Sequence, residues 1–200
     1  MISKPLKLGF LASGNGSSAR AIVAAIRAGE LDAEPRLMVS NNRSAPALAF
    51  AEAAGVPALS IPTQTDPDGA DARLAQAMAD HGVELIVLSG YLRQLGPRTL
   101  ARYAGRILNI HPGPLPAFGG HGMYGRRVHE AVIAAGAPAS EITIHVVDEE
   151  YDHGPVLFRE PVPRAPGETA ESLEARLTAR EPAVFVEVLK RLAAGELALP

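Results

Sequence analysis

The first half of the chain alternates short apolar runs with helical stretches that end at glycine. The apolar runs predict strands over residues 6–12, 36–40, 57–61 and 83–88. The spacing of apolar residues between these runs predicts helices over 19–28, 45–54 and 70–81. This alternation is typical of βαβ units, which build a parallel sheet with right-handed crossovers. We therefore predict an α/β fold with a Rossmann-like, mostly parallel central sheet flanked by helices.

The second half of the chain predicts a further set of elements. Strands are predicted over 106–110, 141–147 and 156–162, and helices over 97–103 and 126–135. Pro161 lies inside the last strand, which predicts an edge position because proline cannot donate to a sheet ladder. Helical spacing continues over 168–194, where Thr169 is placed to cap the start and Pro182 predicts a kink or two helices. We expect an antiparallel C-terminal portion of the sheet and a long C-terminal helical segment.

Length and composition limit the class of protein. A length of 200 residues suits one domain, which we predict over 1–200. The net charge of −3 gives no basic field for nucleic acid, and the lack of cysteine excludes disulfides and thiolate metal sites. No apolar run approaches the roughly 18 residues that span a bilayer, and the N-terminal run is too short for a secretory signal. We therefore expect a cytoplasmic protein without a nucleic-acid or membrane partner.

The strand predicted over 106–110 runs into three closely spaced prolines that begin with Pro112. Because proline breaks the ladder, the strand must end near His111. Asn109 and His111 are two positions apart, so they project from the same face of an extended backbone. Ligands of open α/β sheets bind beyond the carboxyl ends of the strands, which makes this pair a candidate chemical centre. The alternative is that Asn109 satisfies turn backbone and that His111 is structural.

A glycine-rich turn joins the first predicted strand to the first helix. Its sequence, SGNGSS over 13–18, presents Gly16, Ser17 and Ser18 where the helix begins. A helix N-terminus offers backbone N–H groups and a positive dipole to an anion such as phosphate. The turn lacks the lysine of a P-loop and a full GxGxxG. Two interpretations remain: a phosphate site, or a tight turn in which Ser17 or Ser18 caps the helix.

Four acidic residues and Tyr151 occupy positions 148–152. Such a run is commonly a solvated loop. If one of these acids meets Asn109 and His111, however, its charge raises the pKa of the imidazole. Imidazolium and amide then donate two hydrogen bonds to one carbonyl oxygen, as acyl transfer requires. No GxSxG motif supplies a nucleophile, so we expect the attacking group to come from a substrate, for example an amine.

The other histidines carry less information. We interpret His81, His121 and His129 as structural or peripheral, and the sequence leaves the role of His145 open. Clustered histidine and aspartate side chains can bind a metal, but HExxH or a comparable ligand spacing is not present. We therefore expect no metal.

Four segments resemble the folate-dependent phosphoribosylglycinamide formyltransferase family of purine biosynthesis. They are SGNGSS over 13–18, VLSGYLRQL over 87–95, YAGRILNIHPGPLP over 103–116 and ITIHVVDEEYDHGPV over 142–156. They occur in the family's order and extend over nearly the whole chain. The resemblance implies transfer of a formyl group from 10-formyltetrahydrofolate, as co-substrate, to the amine of 5-phosphoribosylglycinamide. It implies a nucleotide-binding half over 1–105 and a catalytic and folate-binding half over 106–200.

The resemblance also implies roles for individual residues. Asn109 and His111 would hold the formyl oxygen, with His111 as general acid, and Asp152 would tune His111 and help proton transfer through water. The residues implied for the ribonucleotide are Gly16, Ser17, Ser18, Gly90, Pro112 and Glu181. Those implied for the folate are Leu92, Arg93, Gln94, Leu95, Asn109, Asp148, Glu149, Glu150 and Tyr151. We further expect small-molecule partners, a monomer or homodimer, and a cis Leu115–Pro116 peptide bond.

The chain departs from the family pattern in three places. The segment FGGHGMYGRR after Pro116 is longer and does not place a second family histidine. The family has an arginine that meets the glutamate tail of the folate, but residues 67–69 contain none, and Arg73 lies four positions beyond them. The C-terminal tail after Leu192 is also short. The alternatives are another 10-formyltetrahydrofolate-dependent formyltransferase or hydrolase, for example one acting on a sugar nucleotide, and a non-catalytic nucleotide- or folate-binding module.

Overall fold

The computed structural model describes residues 4–200, so residues 1–3 of the predicted domain lie outside the described part. Residues 4–200 form one sheet of seven strands: β1 (Leu6–Leu11), β2 (Ala33–Ser40), β3 (Ala58–Ser60), β4 (Leu85–Leu88), β5 (Ile107–His111), β6 (Ala139–Val146) and β7 (Val156–Pro163). The helices are α1 (Ser17–Arg27), α2 (Pro46–Ala53), α3 (Pro67–Asp80), α4 (Pro97–Arg102), α5 (Arg126–Ala134) and α6 (Ala170–Ala194). None of the helices within this described part is long and apolar enough to cross a membrane.

The strand order is β3-β2-β1-β4-β5-β6-β7. Strands β1 to β5 pair in parallel, whereas β6 pairs antiparallel with both β5 and β7. The predicted α/β fold is therefore confirmed, including its mostly parallel sheet, its antiparallel C-terminal portion and its long C-terminal helix. Strand β7, which contains Pro161, lies at the edge of the sheet as predicted.

The direction in which the sheet grows reverses between β1 and β4. From β1 the chain moves outward to β2 and β3, and it then returns to place β4 and β5 on the other side of β1. The loops after β1 and β4 therefore leave a crevice at the carboxyl edge of the sheet, where open α/β sheets bind ligands. Gly16 lies in the first of these loops and Gly90 in the second.

Side chains of the central strands are buried on both faces of the sheet. In β4, Leu85 and Val87 belong to a hydrophobic cluster with α1, α2 and α6, whereas Ile86 and Leu88 belong to a second cluster with α3. Burial on both faces explains why this strand is a continuous apolar run. The sheet is thus the middle layer between two layers of helices.

Helix α6 differs from its prediction at Pro182. The helix is continuous over 170–194, so the predicted division into two helices is wrong. Proline removes one backbone hydrogen bond, but the buried residues Leu177 and Val188 hold the helix against the core on both sides of it. Thr169 caps the helix as predicted, because its hydroxyl accepts a backbone N–H of the first turn.

Asp71 of α3 fixes the start of α4. Its buried carboxylate accepts the N–H groups of Arg98 and Thr99 at 2.8 and 3.1 Å and the Thr99 hydroxyl at 2.6 Å. The N-cap of α4 is Gly96, which has no side chain to satisfy these first-turn donors. A side chain from another helix therefore supplies the cap and holds the loop before α4 against α3.

We predict that Asp71→Ala lowers the free energy of unfolding by about 2 kcal/mol, because the donors of Arg98 and Thr99 lose their acceptor. Urea unfolding of the purified protein measures this change. Asp68→Ala is the matched control, since Asp68 is exposed on the same helix, and we expect it to cost less than about 1 kcal/mol. Equal costs for the two variants would contradict the assigned cap.

Candidate active site

The antiparallel pairing of β5 with β6 brings four polar side chains to one face of the sheet. Asn109 lies opposite His145, and His111 lies opposite Thr143. Because side chains alternate along a strand and directly paired residues share a face, all four project from the same side. The structure thus places the predicted pair Asn109 and His111 beside two residues of β6.

Asp152 reaches this face from the loop after β6. Its carboxylate oxygens lie 3.5 Å from Nδ1 of His111 and 3.5 Å from Nε2 of His145. The N–H of Gly120 donates to the same carboxylate at 3.0 Å. Within residues 4–200, Asp152 is the only non-glycine residue with a positive φ, 55°. This uncommon conformation is held by contacts on both sides, as is typical of functional sites.

The loop that carries Asp152 is fixed at several points. A Cβ at Gly154 would lie 1.9 Å from a backbone oxygen of β6, so only glycine fits there. The His153 ring lies 2.8 Å from the Asp148 carboxylate. The side-chain amide of Gln94 donates to the Glu149 carbonyl oxygen at 3.1 Å, which ties this loop to the loop after β4.

Both ring nitrogens of His111 face protein atoms. Nε2 lies 2.8 Å from the Phe118 carbonyl oxygen and donates to it, which leaves Nδ1 facing Asp152. Burial lowers the pKa of His111 below 6.5 and outweighs the Asp152 charge and the Phe118 hydrogen bond, which raise it. The predicted rise in this pKa is therefore wrong. The residue is only 3% exposed, so its cation loses more hydration than one carboxylate replaces.

Asp152 keeps its charge although it is partly buried. Burial is the largest single influence on its pKa and opposes ionisation. The hydrogen bond that a protonated His145 donates, the charges of protonated His111 and His145, and the Gly120 N–H together outweigh burial, and the pKa of Asp152 lies below 3.8. At neutral pH the site therefore combines a carboxylate with a buried, largely neutral imidazole.

His145 belongs to the site, although the sequence left its role open. The residue is 2% exposed, Nδ1 lies 3.0 Å from the Val146 carbonyl oxygen, and Nε2 lies 3.1 Å from the Asn109 amide nitrogen. In the neutral tautomer with its proton on Nδ1, Nε2 accepts a hydrogen bond from that amide. His145 thereby orients Asn109. The alternation of β6 in the sequence put His145 and Thr143 on one face, but only the pairing shows that this face meets Asn109.

A cavity of about 80 Å³ opens beside Asn109. Most residues implied for the folate line it: Arg93, Gln94, Leu95, Asn109, Asp148, Glu149, Glu150 and Tyr151. Leu92 does not line the cavity, and this residue is 67% exposed. His145 and Asp152 also line the cavity, whereas His111 does not. The cavity therefore meets Asn109 of β5, His145 of β6 and, from the loop after β6, Asp152.

The turn before α1 has the geometry of an anion site. Gly16 is the N-cap with a φ of 66°, a left-handed conformation that favours glycine. Ser17 and Ser18 form the first turn, so the interpretation of either as N-cap is wrong. The N–H of Ala19 donates to the Ser89 hydroxyl at 3.0 Å. The N–H groups of Ser17 and Ser18 lie in the first turn, where the helix itself provides no acceptor.

The other residues implied for the ribonucleotide lie in three separate elements. Gly90 follows β4 and Pro112 follows β5, while Glu181 lies on the buried side of α6, four residues after Leu177. Burial raises the pKa of Glu181 to about 7. Within residues 4–200 no hydrogen-bond or ion-pair partner of the Glu181 carboxyl group is found.

Three smaller expectations can be compared with the structure. The Leu115–Pro116 peptide bond is cis, as expected. The offset Arg73 pairs with Asp66 at 3.1 Å and does not line the cavity beside Asn109. In the described range 4–200, no three histidine, aspartate or glutamate side chains are placed to bind one metal ion.

Comparison with known proteins gives this arrangement a family. The sequence model described as formyl transferase matches residues 6–189. The chain belongs to the formyl transferase family. It is 34% identical to the phosphoribosylglycinamide formyltransferase of Bacillus subtilis over 188 residues, which cover 93% of this chain and 94% of that protein. The resemblance found in the four sequence segments is therefore confirmed.

Two further relatives agree. The chain is 38% identical to the chloroplastic phosphoribosylglycinamide formyltransferase of Vigna unguiculata over 188 residues, 93% of this chain. It spans only 60% of the length of that plant relative. The crystal structure of glycinamide ribonucleotide transformylase 1 from Symbiobacterium toebii matches with a TM-score of 0.86 and 31% identity, covering 98% of this chain and 91% of that chain.

We predict that His129 makes the protein less stable as the pH falls from 7 to 5. This residue of α5 is 1% exposed, and burial lowers its pKa. The unfolded chain therefore binds the proton more tightly than the folded chain, and the free energy of unfolding decreases below pH 6.5. His129→Gln cannot titrate and should lose less stability on acidification, as measured by urea unfolding at both pH values.

His153 is the control with the opposite sign. The hydrogen bond that this exposed ring donates to the Asp148 carboxylate raises the pKa of His153, so its contribution to stability is present at low pH and is lost as the pH rises. His153→Gln should therefore lose more stability than the wild type between pH 7 and 5. If both variants lost more stability than the wild type on acidification, or both lost less, the assigned directions of the two pKa shifts would be wrong.

Proposed function

We propose that this chain transfers the formyl group of 10-formyltetrahydrofolate to the amine of 5-phosphoribosylglycinamide, a step of purine biosynthesis. The observation that carries the proposal is that Asn109 and Asp152 line a cavity at the end of β5, with His111 facing Asp152 behind it. The names of the related proteins support the choice of glycinamide ribonucleotide as the acceptor.

The reaction needs a site that stabilises a tetrahedral oxyanion. The glycinamide amine attacks the formyl carbon, and the π electrons of the C=O bond move onto the formyl oxygen. Collapse of this adduct re-forms the C=O bond and breaks the bond between the formyl carbon and N10 of the folate. The amine loses one proton and N10 gains one. Because the formyl group passes directly from N10 to the amine, no group of the protein is acylated.

Asn109 is suited to hold the formyl oxygen. A side-chain amide has two N–H donors, and His145 accepts only one of them. The second donor is free for the substrate, and the contact with His145 fixes its direction before the substrate arrives. Such preorganised donors are worth about 3 kcal/mol to an oxyanion transition state.

His111 and Asp152 are suited to handle the protons. The Phe118 carbonyl oxygen holds the proton on Nε2 of His111, so Nδ1 is the nitrogen that exchanges a proton on the side of Asp152. The lowered pKa of His111 makes its imidazolium a stronger acid, and the Asp152 charge stabilises that imidazolium when it forms. Asp152 also lines the cavity and can pass a proton through water.

The two substrates are assigned to different parts of the crevice. We assign the phosphate of the ribonucleotide to the turn of Gly16, Ser17 and Ser18, its ribose to Glu181, and the path between them to Gly90 and Pro112. The folate is assigned to the cavity beside Asn109. Only small-molecule substrates are needed, and the proposed steps use no metal. The cytoplasmic location, the monomer or homodimer state and the division into halves at residues 105 and 106 stay predictions.

We predict that the purified protein, given both substrates, forms formylated glycinamide ribonucleotide and tetrahydrofolate. Asn109→Ala and His111→Ala should each lower kcat by about 100-fold or more, because the first removes the donor to the oxyanion and the second removes a group that transfers the proton. Asp152→Asn keeps the shape and the tolerance for a left-handed backbone, so a similar loss would arise from the charge. His81→Ala, at the end of α3 before β4, should keep wild-type turnover.

Other outcomes of this assay separate the alternatives. Unchanged turnover in both His111→Ala and Asp152→Asn would contradict the proposed mechanism. Release of formate without the ribonucleotide would indicate a hydrolase, and preferred transfer to an amino sugar nucleotide would indicate that class of formyltransferase. Binding of both ligands without turnover would indicate a non-catalytic module.

We predict that the Asp152 charge is detectable in the titration of His111. This charge raises the pKa of His111 against the larger, opposite effect of burial, so Asp152→Asn should lower that pKa further. In NMR titrations of the free protein, the wild-type midpoint should lie below 6.5 and the variant midpoint lower still. Glu150→Gln, in the same acidic loop, is the matched control and should leave the midpoint unchanged. A higher midpoint in Asp152→Asn would refute the assigned interaction.

A further inference from the structure

Ser13 lies where the ends of three strands meet. Its hydroxyl donates to Oδ1 of Asn41, directly after β2, at 2.6 Å. Oγ of Ser13 also accepts the N–H of Leu92, in the loop after β4, at 2.8 Å. The Ser13 N–H donates to the Gly90 carbonyl oxygen at 3.0 Å. Ser13 alone is therefore bonded to two loops, through residues that lie 28 and 79 positions further along the chain.

We propose that Ser13 is a positioning residue for both substrate subsites, an inference that rests on the proposed function. On one side, Ser13 begins the turn that ends at Gly16 and is assigned to the phosphate. On the other side, its partner Leu92 precedes Arg93, Gln94 and Leu95, which line the cavity assigned to the folate. Loss of the hydroxyl should therefore weaken the binding of both substrates together.

The directions of these hydrogen bonds show that the Ser13 hydroxyl is both a donor and an acceptor. Oδ1 of Asn41 takes the hydroxyl proton, so the lone pairs of the Ser13 oxygen are directed to other donors, of which Leu92 supplies one. Asn41 thus determines which way Ser13 faces. A hydroxyl that only completed the end of β1 would bond within its own turn, whereas Ser13 bonds across the crevice between β1 and β4.

A second bond across the crevice supports this arrangement. The buried Ser89, directly after β4, accepts the N–H of Ala19 in the first turn of α1 at 3.0 Å. The N-cap Gly16 has no side chain, so the loop after β4 supplies the cap that the turn lacks. The N-terminus of α1 and the segment after β4 consequently form one hydrogen-bonded unit, and the position of one depends on the other.

Equilibrium binding tests the inference directly. The dissociation constants of 5-phosphoribosylglycinamide and tetrahydrofolate should both rise about tenfold in Ser13→Ala, which loses the two bonds of the hydroxyl. In the steady-state assay both KM values should rise by a similar factor while kcat stays within about threefold, since Asn109, His111 and Asp152 lie in other elements. Ser13→Thr keeps a hydroxyl and should restore both affinities.

Two variants complete the set. Ser44→Ala is the matched control, because Ser44 is exposed in the turn after Asn41 and its hydroxyl has no partner within residues 4–200. It should bind both ligands like the wild type. Asn41→Ala removes the acceptor that orients Ser13 and should weaken both ligands by a smaller factor. If circular dichroism shows that Ser13→Ala does not fold, Asn41→Ala carries the same test.

Amide hydrogen exchange gives a readout that needs no turnover. In the free protein, exchange over residues 88–95 should be faster in Ser13→Ala than in the wild type and unchanged in Ser44→Ala. The ribonucleotide should slow exchange over 92–95, beyond its assigned contact at Gly90, more in the wild type than in Ser13→Ala when both proteins are saturated with the ligand. These changes would report that the two loops are joined through the hydroxyl.

The possible failures are distinguishable. A wild-type protein that binds both ligands without formyl transfer overturns the proposed function alone. Weakened binding of only one ligand in Ser13→Ala, or a lower stability with both affinities unchanged, overturns the inference alone. Unchanged exchange over residues 88–95 in Ser13→Ala overturns it as well.

Discussion

The pairing register of β5 with β6 is the constraint on which the site depends. Asn109 meets His145 only because these two residues are directly opposite each other. A slip of one residue would turn every side chain of β6 to the other face. That slip is opposed by Ile142 and Ile144, which are fully buried in the hydrophobic cluster on the opposite face. The cost of exposing two isoleucines, about 4 kcal/mol, therefore also keeps a polar contact in place on the site side.

Burial and charge act against each other in this site, and the balance differs between its members. For His111 the loss of hydration is larger than the attraction of Asp152, so the ring is mostly neutral at rest. For Asp152 the two histidines and one backbone N–H together exceed the loss of hydration, so the carboxylate is charged. The site thus places the charged Asp152 carboxylate next to the weakly basic ring of His111. Negative charge that develops on a substrate would favour transfer of a proton to that ring.

The sequence was sufficient for the fold because its patterns are local. Apolar runs separated by helical spacing predict the parallel half, and Pro161 predicts the edge position of β7, since each signal acts within one strand or helix. Of the two outcomes predicted for Pro182, a kink or two helices, the division into two helices is wrong, because packing of α6 on the core offsets the local cost of the proline. The sign of the pKa shift of His111 was misjudged for a similar reason, because burial is a property of the folded chain.

The sequence by itself determined the element order, the end of β5 at His111, and the presence of a glycine-rich turn and an acidic loop. These features follow from residue spacing and from the restricted backbones of proline and glycine. Only the tertiary structure decided that His145 orients Asn109, that Leu92 is exposed and does not line the cavity, and that Ser13 joins two loops. The contacts of His145 and Ser13 join residues at least 28 positions apart, and such contacts are selected by the packing of the whole sheet.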